Sequence, residues 1–139
     1  CQGKLELAGQ KINLGAINQP LYSVAAEKDH ITPWDQVFKT GLNTSGQVRF
    51  ALSTSGHIAG VVNPPLNPPK RAYWAGPVTE TDLDPIIWKK NIQQISGSWW
   101  QDWVPWLQGQ CDDKADVPRM GSKRYKLLGD APGSYVKEK

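Results

Sequence analysis

Two apolar runs, Leu21-Tyr22-Ser23-Val24-Ala25-Ala26 and Val48-Arg49-Phe50-Ala51-Leu52-Ser53, each end in a polar loop that carries a candidate catalytic side chain. Asp29 follows the first run and His57 the second. A stretch with helical spacing lies between them, so the order is strand, acid loop, helix, strand, histidine loop. That order is a βαβ unit, which requires parallel strands. The predicted fold class is therefore α/β. An acid after one strand and a histidine after a later one is also the order of the last two members of a nucleophile, acid, histidine triad in the α/β-hydrolase architecture. The chain is expected to be the C-terminal part of such a fold, parallel strands with flanking helices, incomplete without an upstream segment.

Each element has its own local signal. Lys4-Leu5-Glu6-Leu7 and Lys11-Ile12-Asn13-Leu14 alternate apolar and polar residues around Ala8-Gly9-Gln10, which predicts a hairpin. Pro20 opens the first apolar run, and its nearly unbroken small and apolar residues suit a strand covered on both faces. Thr32, Pro33 and Asp35 supply an N-cap, a proline at the first helical position and a capping-box acid. Trp34, Val37, Phe38 and Leu42 continue that helix until Gly46 breaks it. Past His57, Asn63-Pro64-Pro65 and Pro68-Pro69 predict a surface excursion. A helix is expected to restart at Asp84-Pro85 with Trp88, Ile92 and Ile95 on one face, stopping near Gly97. Ser98-Trp99-Trp100-Gln101 repeats the capping logic ahead of a stripe of Trp99, Trp103, Trp106 and Leu107, which Pro105 should kink or end early. Residues 1–110 are read as one catalytic portion. Residues 111–139 are read as an irregular tail, docked on it by Tyr125, Leu127, Leu128 and Tyr135.

Composition narrows the functional classes. The net charge of +3 is spread along 139 residues with no basic stripe interleaved with stacking aromatics, so nucleic acid is not an expected partner. Cys1 and Cys111 sit near opposite ends, and no Cys/His cluster has metal-ligand spacing, so two reduced thiols of a cytosolic protein are expected and no cofactor. Apolar spans of membrane length are absent from the sequence. The seven tryptophans offer walls for a ligand, yet their helical spacing favours packing. Trp34, just beyond Asp29, is the one placed to line a substrate site.

The chemistry rests on two side chains. A thiol or hydroxyl becomes a good nucleophile when an imidazole takes its proton, and the imidazole needs a partner that fixes its tautomer. His57 suits the first task and Asp29 the second. The competing interpretation is a loop-capping Asp29 and a hydrogen-bonded turn histidine. His30, directly after the acid, reads as a local loop residue. No Gly-x-Ser-x-Gly or Gly-x-Cys-x-Gly turn occurs in the chain, so the nucleophile is expected on a segment outside it.

Four segments carry a more specific resemblance: Glu27 to Trp34 (Glu-Lys-Asp-His-Ile-Thr-Pro-Trp), Ser53 to Pro65, Gly97-Ser98-Trp99-Trp100, and the ending Ala131-Pro132-Gly133-Ser134-Tyr135-Val136-Lys137. In this order they resemble the C-terminal segment of bacterial polyhydroxyalkanoate synthases, and the ending is most similar to the single-subunit type that prefers short chains. The resemblance implies an acyltransferase that polymerises (R)-3-hydroxyacyl-CoA, 3-hydroxybutyryl-CoA above all, on a cysteine thiol, with release of CoA. It implies His57 as general base and Asp29 as the acid that orients His57 or helps activate the hydroxyl in elongation. It further implies the remainder of the synthase as partner, a homodimer, and a cytoplasmic location at the surface of polyester granules. This chain alone is expected to be inactive. An esterase or thioesterase of the same fold, and a noncatalytic interaction module that uses the tryptophan face, are the alternatives.

Overall fold

The computed structural model describes residues 5–79 and 81–138. Strands β1 (Leu5–Leu7) and β2 (Gln10–Ile12) form the expected hairpin, joined through Ala8 and Gly9. Both turn residues have positive φ, 50° and 75°, the conformation that matches the twist of a two-residue hairpin turn. Lys4 and Cys1 lie outside the described residues.

The main sheet begins with β3 (Leu21–Ala26) and β4 (Val48–Ser53), which pair in parallel from Leu21 opposite Val48 to Ala26 opposite Ser53. Helix α1 (Trp34–Gly41) crosses between them and packs on both strands. The βαβ unit read from the sequence is present. Its connection back to β4 depends on Gly46, because a Cβ there would lie 2.0 Å from the Gln19 carbonyl oxygen.

The structure corrects the remainder of the sheet. After α2 (His57–Val62), a helix where the sequence pattern predicts a loop, the chain returns as β5 (Ala72–Val78), antiparallel to β4. Helix α3 (Pro85–Asn91) stops well before Gly97, and Ile95 belongs instead to β6 (Ile95–Ser96), paired with β5. The sheet is thus mixed, in the order β3-β4-β5-β6, with β4 paired on both sides and β3 at an edge. Gly76 and Pro77 concealed β5, since both interrupt strands. Gly76 is required by packing, because a Cβ would lie 2.6 Å from Ile92 Cδ1. Pro77 is tolerated because β6 covers only Ala72 and Tyr73, leaving that end of β5 an edge.

Alternation along β3 and β4 divides the core between two faces. On one face Phe50 and Leu52 meet Phe38 of α1 and Trp88 of α3, with Trp34, Val37 and Ile92 around them. On the other, Ala51 and Tyr73 meet Trp99, together with Tyr22 and Val24 of β3 and Trp103 of helix α4 (Trp100–Gln108). Helix α4 continues through Pro105 to Gln108, so the proline does not end it early. Its N-cap position is Trp99, without a side-chain cap, and the Ser98 hydroxyl one residue earlier accepts from the Trp100 backbone N–H at 3.1 Å. The tail is irregular from Cys111 until a short 3-10 turn at Tyr135–Lys137. The docking expected of it is not seen, because Tyr125, Leu127, Leu128 and Tyr135 are all exposed. Among the described residues, no helix is long and apolar enough to cross a membrane.

Candidate active site

The C-terminal ends of β3 and β4 are zipped together beyond their ladder. Glu27 N–H donates to Ser53 O, and Lys28 N–H donates to Ser55 O, each at 2.8 Å. These bonds bring the Asp29 loop beside the turn that leads into α2 and His57. Ser55 has φ 121°, a conformation that disfavours any residue with a Cβ and costs on the order of 1–3 kcal/mol. The strain sits two residues before His57, where the chain turns from β4 into α2.

Asp29 is buried and fully engaged. Its Oδ1 accepts from the Ile31 and Thr32 backbone N–H groups at 2.8 and 2.9 Å, and its Oδ2 accepts from the Thr32 hydroxyl at 2.7 Å. The second contact of Oδ2 is His57 Nδ1, also at 2.7 Å. Burial works to raise the Asp29 pKa, but the donors from Thr32, His57 and Ile31 outweigh it and hold the carboxyl well below the usual aspartate range. Thr32 therefore serves the acid, not the helix: α1 has Pro33 at its N-cap position and no side-chain cap. The spacing Asp29-x-x-Thr32 is an Asx-turn signal, and it competes directly with the capping-box interpretation of the same threonine.

An ionised carboxylate only accepts hydrogen bonds, so the proton between the two side chains is carried on His57 Nδ1 and Nε2 is the ring nitrogen that Asp29 does not engage. The ring remains 43% exposed, open to a group brought from outside the chain. His57 is the first residue of α2, and Gly60, one turn later, lets this helix press against β3. A Cβ on Gly60 would lie 2.5 Å from Ala26 Cβ. Sequence reading singled out the acid and the base but missed Ser55, Gly60 and the role of Thr32.

The other candidates are placed elsewhere. His30 is exposed, as a local loop residue would be. Trp34 is half-buried against the cluster of Phe38 and Trp88, and it lines a cleft of about 550 Å³ with Leu83 and Pro85, between α1 and α3. Neither Asp29 nor His57 lines that cleft. Cys111 is exposed in the tail.

An aspartate hydrogen-bonded to one nitrogen of a histidine whose ring is partly exposed is the geometry that the acid and the base of a triad share. No family model matches the chain. Among curated proteins, it is 38% identical over 138 residues to poly(3-hydroxyalkanoate) polymerase subunit PhaC of Cupriavidus necator, a match covering 99% of this chain and 23% of that protein. Poly(3-hydroxyalkanoate) polymerase 2 of Ectopseudomonas oleovorans is 40% identical over 133 residues, 95% of this chain and 23% of that protein. The polymerase subunit PhaC of Rhizobium meliloti is 39% identical over 137 residues, 98% of this chain and 22% of that protein. The chain belongs to the poly(3-hydroxyalkanoate) polymerase family. It spans less than a quarter of the length of these relatives and corresponds to one segment of a synthase. The family expected from the four sequence motifs is the family found.

Proposed function

We propose that the whole protein is a polyester synthase of the acyltransferase class, which polymerises (R)-3-hydroxyacyl-CoA into polyhydroxyalkanoate. The substrate favoured by the sequence motifs is 3-hydroxybutyryl-CoA, and the nucleophile is a cysteine of the remainder of the synthase. His57 Nε2 takes the thiol proton, and the thiolate attacks the thioester carbonyl. The C–S bond to CoA breaks and CoA leaves as its thiol, carrying the proton that the imidazolium returns. The hydroxyl of a further monomer then attacks the acyl-enzyme carbonyl, again with His57 as base. The C–S bond to the cysteine breaks, and the imidazolium returns the proton to the cysteine thiolate. The chain, one ester longer and carried as a CoA thioester, reloads onto the thiol with loss of CoA. Asp29 holds the ring in the tautomer this sequence requires and stabilises the imidazolium that forms.

One observation carries this reading: His57 Nδ1 lies 2.7 Å from an aspartate whose other lone pairs are all occupied, so Nε2 is the nitrogen left for chemistry. The surface supports a larger assembly. A compact monomer of this mass would present roughly 7,200 Å². The chain presents 11,057 Å². The open edge of β3 and the apolar residues of the tail are then covered by the remainder of an α/β-hydrolase-like catalytic domain and by a second copy in a homodimer. The assembly works in the cytoplasm at the surface of polyester granules, and this segment alone is inactive. Trp34 gains no support as a substrate-binding residue from its position, which suits packing of α1 on α3.

The test is CoA release and polymer formation from 3-hydroxybutyryl-CoA by the full-length protein and its His57→Gln variant. The variant is expected to lose on the order of a hundredfold or more in the initial rate. A near-normal rate would reject the assignment, and release of free hydroxy acid without polymer would point to an esterase.

A further inference from the structure

The helix that begins with the proposed base has only six residues, His57–Val62. A helix this short does not hold itself together in water, and the carbonyls of its last turn lack intrahelical donors. Here consecutive carbonyls at its C-terminal end are taken by consecutive side chains of the segment that leads into α4. The Trp99 indole N–H donates to Val61 O at 3.0 Å, and the Trp100 indole N–H donates to Val62 O, also at 3.0 Å. The buried Ser98 hydroxyl donates to Asn63 O. Asn63, buried at φ 28°, turns the chain out of the helix and reaches back through its amide to Ser53 Oγ at 3.2 Å, at the end of β4. Gly97, just before the three donors, is fixed to the start of β5 by its N–H bond to Arg71 O at 2.8 Å.

From these contacts we infer that Ser98, Trp99 and Trp100 form a latch of positioning residues that sets where His57 stands. The inference rests on the proposed role of His57. The latch touches neither His57 nor Asp29; it acts through α2, whose far end lies about 8 Å along the axis from the histidine. The N-terminal end of α2 is tied to β3 through the His57 to Asp29 bond, and its C-terminal end is tied to the sheet through Gly97 and Asn63. A short rod held at both ends cannot pivot. Releasing the C-terminal end leaves the imidazole on a single bond to Asp29 and lets Nε2 wander from the position a nucleophile needs.

The test measures kcat and KM for CoA release by the full-length synthase, per titratable active-site thiol, in Ser98→Ala and Trp99→Phe. Each variant removes one donor. Each is expected to lower kcat on the order of tenfold with KM nearly unchanged, since sub-ångström displacement of a catalytic group acts on the chemical step. Ile92→Ala, which loosens packing on the opposite face of the sheet, serves as a control for general destabilisation and should keep its kcat when compared at an equal fall in Tm. In a His57→Gln background, Ser98→Ala should have no further effect, because a positioning residue has nothing left to position. Unchanged kcat in both latch variants, an equal loss in Ile92→Ala, or a full tenfold loss on top of His57→Gln would each overturn the inference. If Trp99→Phe does not fold, Ser98→Ala decides alone. Failure of the proposed function has a separate signature, a His57→Gln variant that keeps its activity.

Discussion

The two faces of the main sheet are held by different forces. On the α1 and α3 face, Phe38, Phe50 and Trp88 pack as three tilted or edge-on rings with centroids 5.0 to 5.5 Å apart. Its directional contacts are few: the Trp88 indole donates to Pro77 O, and Lys89 of α3 lies 4.3 Å over the Trp74 ring and pairs with Glu27. On the α4 face, rings also meet, Tyr22 with Trp106 at 5.2 Å and Trp99 with Trp103 at 6.0 Å, but polar bonds stitch them to the sheet and to α2. Arg49 reaches Asp102 through two bonds of 2.7 and 2.5 Å, and the Tyr22 hydroxyl donates to the same carboxylate at 2.8 Å. Apolar burial is nearly indifferent to small slides, whereas hydrogen bonds fix position and angle. The first face supplies stability. The second holds α4 and α2 in register, and α2 carries His57.

That division is tested most strongly where the packing face is emptied. Trp88 is 1% exposed and completes the ring cluster, so Trp88→Ala should cost about 3–5 kcal/mol, read from the urea midpoint of the full-length protein followed by fluorescence. A loss below about 1 kcal/mol would mean that face is not where stability resides. Asp102→Ala should cost less, about 2 kcal/mol near neutral pH, because it leaves Arg49 and Tyr22 half-buried without their shared acceptor. Burial tends to raise the Asp102 pKa, but the bonds from Arg49 and Tyr22 overcome it and hold the carboxyl below its ordinary range. Its contribution is therefore full above the unfolded value of about 4 and is lost as pH falls through the folded one. The gap between Asp102→Ala and the parent protein should close in acid. A gap independent of pH would show that the carboxylate's charge is not what ties α4 down.

The same division explains what could be read in advance. Periodicity reports burial, so β3, α1 and β4, each with an unambiguous apolar pattern, were legible, and with them the loops that hold Asp29 and His57. Strand β5 was not, because Gly76 and Pro77 imitate a loop when their reasons, the Ile92 side chain and an open sheet edge, are remote in sequence. Thr32 satisfied two local rules at once, and only the position of Asp29 decides between them. The tryptophans were legible as packing residues. Their indole N–H groups were not, since a donor's partner thirty-eight positions away leaves no periodic trace. Tertiary hydrogen bonds are the part of the site that composition and spacing do not encode.

The smallest expected effect sharpens the comparison furthest. Tyr22→Phe keeps the ring that packs on Trp99 and Trp106 and deletes only the hydroxyl bond to Asp102, so a loss of about 1 kcal/mol is expected at neutral pH. Burial raises the Tyr22 pKa first, and the Asp102 hydrogen bond and charge raise it further, against a smaller opposing effect of Arg49. A group whose folded pKa is raised stabilises the fold fully below its unfolded value, about 10 for tyrosine, and that stabilisation drains away as pH climbs toward the folded one. The parent protein should therefore weaken above about pH 10 faster than Tyr22→Phe, which has no phenol to ionise, and the difference between them should shrink with rising pH. Urea midpoints at neutral pH and at two alkaline values measure it. A difference that stays constant, or grows, would show that the Tyr22 hydroxyl ionises at least as freely in the folded protein as in the unfolded chain, and that its bond to Asp102 adds nothing to the Arg49 bonds and rings that hold the α4 face.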